Sequence, residues 1–173
     1  MKKFFLILAA AFCVAATASA QGKLESAAKA VASQKWTVGA RVGSGFQAQA
    51  ECFYAADKYV EGRLGMSWVD GIGADFTILH NWNVCTMDWT PDAGQWFFDA
   101  GVGLNVGGAA HVATLGIAGQ AKLGIKFNAA PIRLALDFTP AFGPWIAYYN
   151  GSVGADFYTR GICNLGISAT YCF

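Results

Sequence analysis

From Lys35 onward the chain alternates between apolar and polar residues. Trp36, Val38, Ala40 and Val42 interleave with Lys35, Thr37, Gly39 and Arg41. Phe46, Ala48, Ala50, Cys52 and Tyr54 interleave with Gln47, Gln49, Glu51 and Phe53. Val60, Gly62, Leu64, Met66 and Trp68 face Glu61, Arg63, Gly65 and Ser67. A fourth run sets Ala74, Phe76, Ile78 and Trp82 against Asp75, Thr77, Asn81 and Asn83, with His80 on the apolar side and Leu79 on the polar one. The fifth sets Trp96, Phe98, Ala100, Val102, Leu104 and Val106 against Asp99, Gly101, Gly103 and Asn105. The sixth has Leu115, Ile117, Leu123, Ile125 and Phe127 against Gln120, Lys122, Gly124 and Lys126. The seventh has Ile132, Leu134, Leu136 and Phe138 against Arg133, Ala135, Asp137 and Thr139. The last has Leu165, Ile167, Ala169, Tyr171 and Phe173 against Asn164, Gly166, Ser168, Thr170 and Cys172. Eight runs of period two predict eight strands, each with one apolar and one polar face. Turn chemistry separates them at Ala55-Ala56-Asp57-Lys58, Asp70-Gly71 and Asn128-Ala129-Ala130-Pro131.

Alternation does not say which face lies inside, because a soluble lipocalin-like barrel has the same pattern. Volume decides. Eight strands enclose a bore just wide enough for side chains or one small ligand. The apolar face carries Trp36, Trp68, Phe76, Trp82, Trp96, Phe98, Phe127, Phe138, Tyr171 and Phe173, too much bulk for that bore. The polar face carries Gly39, Gly65, Gly101, Gly103, Gly116, Gly124 and Gly166 with Ser, Thr and Ala, which suits it. The apolar face is therefore expected outside, where water would drive association and lipid would not.

Charge placement points the same way. Arg41, Glu51, Glu61, Arg63, Asp75, Asp99, Lys122, Lys126, Arg133 and Asp137 all fall on the polar side. A Lys or Arg at mid-membrane on the lipid side would cost about 2–4 kcal/mol. A balanced set of ions in a narrow core is expected to form paired networks, since an unpaired buried charge is expensive. If the first strand starts on the periplasmic side, Trp36, Tyr54, Trp82, Trp96, Phe127, Tyr171 and Phe173 gather at one rim. Phe46, Trp68, Phe76 and Phe138 then lie near the other, which makes a pair of aromatic girdles.

The first residues read as an export signal. Met1-Lys2-Lys3 is a positive start, Phe4 to Val14 is apolar, and Ala18-Ser19-Ala20 offers a small-residue cleavage site. A spanning helix needs about 20 apolar residues, and Thr17, Ser19 and Gln21-Gly22-Lys23 cut this run short. The expected organisation is a signal peptide at 1–20, a short periplasmic segment at 21–34 and a barrel at 35–173. Over the 173 residues charged side chains make up only 13%, against roughly a quarter in soluble domains. The near balance of 12 basic and 11 acidic residues leaves no footprint for nucleic acid.

The chain ends on Phe173, preceded at every second position by Tyr171, Ala169, Ile167 and Leu165. Together with Gly39 to Arg63 (GARVGSGFQAQAECFYAADKYVEGR), Trp96 to Gly108 (WFFDAGVGLNVGG) and Pro131 to Pro140 (PIRLALDFTP), this ending resembles the small outer-membrane β-barrel domain family of Bacteroides-type Gram-negative bacteria. The resemblance implies an all-β, eight-stranded antiparallel up-and-down transmembrane barrel behind a cleaved signal peptide. Its implied partners are outer-membrane lipid and the barrel-assembly machinery, which would read the last strand ending at Phe173. For most members it implies no assigned biochemical role, and it brings no catalytic motif.

No catalytic, cofactor or metal site is expected. His80 and His111 lack the nucleophile, base and orienting group that lipid- or peptide-modifying barrels need. The ten interior charges read as a structural, salt-bridged plug, with a narrow porin-like channel as the alternative. Cys52, Cys85, Cys163 and Cys172 follow the signal peptide in no zinc-binding spacing, and either free thiols or a bridge fit an exported chain. Residues 140–161 are the longest apparent connection. Trp145, Tyr148, Tyr149 and Tyr158 there form either a binding surface or girdle positions on longer strands. The expected protein is a monomeric, non-enzymatic barrel of the cell outer membrane with an envelope-structural or surface-interaction role.

Overall fold

The computed structural model describes residues 35–67, 73–109, 111–149, 152–158 and 164–173. The expected signal peptide at 1–20, the segment 21–34, the Asp70-Gly71 turn, Trp68 and Cys163 lie outside the described residues.

The period-two runs form strands β1 (Trp36–Val42), β2 (Gly45–Ala55), β3 (Lys58–Ser67), β4 (Gly73–Met87), β5 (Gly94–Ala109), β6 (Val112–Phe127), β7 (Ile132–Phe138), β8 (Ala141–Tyr149), β9 (Ser152–Tyr158) and β10 (Leu165–Cys172). Each strand from β1 to β6 pairs antiparallel with the next. The ring closes because β10 lies between β7 and β1, with Thr170 opposite both Arg133 and Gly39. The result is a closed antiparallel barrel of eight strands.

Two strands more than expected come from residues 140–161, which are not an open connection. β7 and β8 run in one line along β6, Phe138 opposite Ala121 and Ala141 opposite Ala118. Between them Pro140 supplies no N–H, and its carbonyl accepts from Gly119 N–H at 2.8 Å. The β6–β8 ladder then skips the positions opposite Gly143-Pro144, where a second proline again has no hydrogen to donate. β9 returns along β8, with Trp145 opposite Asp156. Residues 141–149 and 152–158 of this segment are therefore strand, with Tyr148 on the outer face and Trp145 on the inner one.

Burial follows strand parity and is inverted relative to a water-soluble domain. Along β10 the residues alternate exposed and buried, and β7 begins the same way. Leu136 is 53% exposed, Ile167 64% and Ile117 66%, whereas Arg41 and Glu61 are fully buried. His80 and Leu79, the two residues that broke the sequence pattern, keep strict parity: Leu79 points inward and is buried, His80 points outward. Leu79 meets Ala118 and Ala141 in the small apolar cluster of the interior. Bulges at Phe53/Ala55 and Asn83/Cys85 both lie toward the rim at which the chain ends.

That rim is aromatic. Tyr171 and Phe173 pack edge to face at 5.0 Å, and Trp89 lies 5.2 Å from Trp96. Tyr54, His80 and Trp82 stack in sequence at 5.8 Å per step, with the Tyr54 hydroxyl on His80 Nε2. Phe173 N–H closes onto the Trp36 carbonyl at 3.0 Å.

Candidate functional site

The interior polar positions of the strands converge on one axis. Eight charged side chains there form an unbroken line of alternating sign: Arg41, Asp137, Arg63, Glu61, Lys122, Glu51, Arg133, Asp99. Arg41 Nε donates to both oxygens of Asp137, at 2.8 and 3.0 Å. Arg63 lies 3.5 Å from Asp137 on one side and pairs with Glu61 on the other. Lys122 Nζ bridges Glu61 at 2.6 Å and Glu51 at 2.8 Å. Arg133 bridges Glu51 at 2.7 Å and Asp99 at 3.2 Å. Four positive and four negative groups cancel within the line.

Apart from Arg63–Glu61, which lie on one strand, these links join strands that share no ladder: β1 to β7, β3 to β7, β6 to β3 and β2, and β7 to β2 and β5. The column therefore ties opposite walls of the barrel together. One link depends on a glycine. Gly166 of β10 sits between Asp137 and the end of β1, and a Cβ there would overlap the Arg41 guanidinium as it crosses to Asp137. Gly124 similarly leaves room for the inward ring of Phe97.

Neutral groups complete the coordination, as burial of ions requires. Thr37 and Gln49 both donate to Glu51, at 2.7 and 2.9 Å respectively. Asn81 donates to Glu61 at 3.0 Å, and Thr139 accepts from Arg63 at 3.0 Å while donating to Asp137. Tyr59 and Asn83 donate to Asp99 at 2.8 and 2.7 Å. The Arg133 guanidinium also lies 4.2 Å from the Phe97 ring centroid, 5.2 Å from Phe53 and 5.6 Å from Tyr59, in a cation–π cage.

Eight of the ten charged residues expected inside thus share one column. Asp75 lies apart, nearer the rim opposite the chain terminus, and accepts from Gln47. Lys126 faces inward near the terminal rim, opposite Arg133. The neutral partners and the aromatic cage were not singled out from sequence. Their signal was parity: Phe53 follows Glu51, Tyr59 precedes Glu61 and Phe97 precedes Asp99 by two residues each.

The histidines do not join this site. His80 is on the outer face, and His111 is exposed in the β5–β6 turn, where its carbonyl accepts from Tyr148 N–H at 2.8 Å. Cys52 and Cys85 are free thiols; Cys172 points inward, and Cys52 lies on the opposite face of the wall. Among the described residues no group of three His, Cys, Asp or Glu side chains could hold a metal ion.

Fold and site together define a closed eight-stranded antiparallel barrel with an apolar exterior and an ion-paired interior. No family model, curated protein or solved structure matches the chain.

Proposed function

We propose that the protein is an integral outer-membrane β-barrel of a Gram-negative cell, a non-enzymatic monomer with an envelope-structural or surface-interaction role. In this reading residues 1–20 direct export, the C-terminal strand ending at Phe173 is read by the assembly machinery, and the resemblance to the small outer-membrane barrel family reflects common architecture. One observation carries the reading: hydrocarbon side chains such as Leu64, Leu136, Ile117 and Ile167 are more than half exposed around the wall, while Arg41, Arg63 and Lys122 are buried at its centre. In water such a surface drives association. In lipid it is the favourable arrangement, and ring closure satisfies the backbone hydrogen bonds that hydrocarbon cannot. The aromatic rim of Trp36, Tyr54, Trp82, Trp96 and Tyr171 then lies at the periplasmic interface.

A charged lumen also favours a second reading, a narrow channel. Against it, the column side chains are buried and paired with one another, and eight strands enclose little open bore. Membrane fractionation with heat-modifiable gel migration tests the first reading. The barrel is expected in the outer-membrane fraction, soluble only in detergent and migrating faster before boiling. Recovery from the periplasm or medium without detergent overturns it. Planar-bilayer recording tests the second: steady ion current abolished by Glu61→Gln or Arg63→Gln would establish the channel.

A further inference from the structure

Among the described residues the barrel wall continues above the ion-pair column through the ends of β4, β5, β6, β8 and β9, while β1 stops at Val42. The inward face of this taller wall is a shallow cup. At its base is the buried apolar cluster of Leu79, Ala118 and Ala141. Its wall is mostly small, with Gly103, Gly107, Gly116, Gly143, Ala147 and Gly154 all on the concave side by parity. Across that wall runs one cross-strand row: Asp75 opposite Gly107, Gly107 opposite Thr114, Thr114 opposite Trp145, and Trp145 opposite Asp156.

Three features of this wall, two of them in the row, are not explained by packing. Trp145 is half-buried on the concave side, flanked by Thr114 and Asp156 on the adjacent strands, although the outer face was open to so large an apolar ring. Asp75 has one carboxylate oxygen, Oδ1, that is buried and accepts no hydrogen bond from the protein. One row below, Asn105 and Thr77 are joined at 2.7 Å, and together with the Thr114 hydroxyl they put donors as well as acceptors on the same face.

We propose that this cup binds a neutral, hydroxyl-rich ligand, an oligosaccharide chain, stacked on Trp145 and hydrogen-bonded by Asp156, Thr114 and Asp75. Hydroxyl groups both donate and accept, which matches a set holding carboxylates, a hydroxyl and an amide; an ammonium ligand would need acceptors alone, and an anion would be repelled by both carboxylates. With strands about 4.8 Å apart, the row spans about 19 Å along the curved wall, which suits an extended chain rather than an ion. A concave, mostly apolar lining with a few converging polar groups is the usual form of a small-ligand site. The inference deepens the surface-interaction role proposed above and rests on that reading only in placing the cup at the cell surface.

The test uses the purified barrel in detergent micelles free of sugar headgroups, so it is independent of cellular location. Maltohexaose, xylohexaose and chitohexaose are titrated by calorimetry, with spermidine as a cationic comparison. At least one oligosaccharide is expected to bind saturably, with affinity falling tenfold or more in Trp145→Ala and in Thr114→Val while heat-modifiable migration is kept. Failure of all three sugars to bind overturns the proposal. So does spermidine binding with the same residue dependence, or sugar binding indifferent to both variants. A barrel that fractionates away from the outer membrane but binds sugar would reject the location and leave the site standing.

Discussion

Lys122→Met is the most informative perturbation of the column. The lysine ammonium is buried between Glu61 at 2.6 Å and Glu51 at 2.8 Å. Methionine keeps the length of the stem and removes the charge, so the variant leaves five acidic-to-basic contacts of the line and one uncompensated negative charge inside the wall. Removing one partner of a buried pair typically costs about 3–5 kcal/mol. Here each carboxylate keeps another cation, Arg63 on Glu61 and Arg133 on Glu51, so the lower end is expected, about 3 kcal/mol. The cost comes from the stranded charge rather than from a lost attraction, and that has a second consequence. Lys122→Met combined with Glu61→Gln removes one charge of each sign and restores neutrality. The double variant should be less destabilised than the sum of the two singles by about 1–3 kcal/mol, within the range of coupled neighbours. Urea unfolding of the barrel in lipid vesicles, followed by tryptophan fluorescence and checked by gel migration, measures all four corners of the cycle. Additive single effects, or a Lys122→Met loss below about 0.5 kcal/mol, would refute the reasoning, because they would mean that water reaches and screens the carboxylates.

Two further outcomes follow from the same geometry. Gly166→Val should displace the Arg41 guanidinium from Asp137 and lower stability by about 1–3 kcal/mol, as overpacking does, whereas Gly62→Ala, whose Cβ meets nothing within 4 Å, should be neutral in the same unfolding assay. Leu136→Arg, on the exposed face of β7, should destabilise the lipid-inserted barrel by about 2–4 kcal/mol; a change within about 0.5 kcal/mol, the usual effect of an exposed substitution in water, would count against membrane insertion.

The column also accounts for how a wall only one residue thick holds its shape. Hydrogen bonds fix each strand to its neighbours, but nothing in a ladder links β3 to β7 or β2 to β6. Arg63–Asp137 and Lys122–Glu51 do. Such links cost desolvation on both sides, and the cost is offset here by shared ions and neutral donors such as Thr37 and Asn81. The Arg133 cage lies toward the terminal rim, and at the other end of the line Arg41 is held by Gln47 and Asn164 as well as by Asp137.

Side-chain period alone was enough to specify eight of the ten described strands, the face each of their residues takes and the sorting of charge from hydrocarbon, since a strand has only two faces and a one-residue slip would invert every position. That is why Arg41, Glu61 and Lys122 were legible as interior from a single sequence, and why His80 and Leu79 could be trusted to parity although their chemistry argued otherwise. Which charge meets which was not legible. Arg41 and Asp137 are separated by 96 residues and come together only because register and closure bring β7 within one strand of β1. The same holds for the row from Asp75 to Asp156, assembled by four separate registers. Residues 140–161 misled for a local reason: Pro140 and Pro144 mark a connection when read along the chain, yet a barrel wall tolerates them because β6 continues past both and keeps β7 and β8 in line. Local alternation chooses a side for each residue; only closure of the ring chooses its partner.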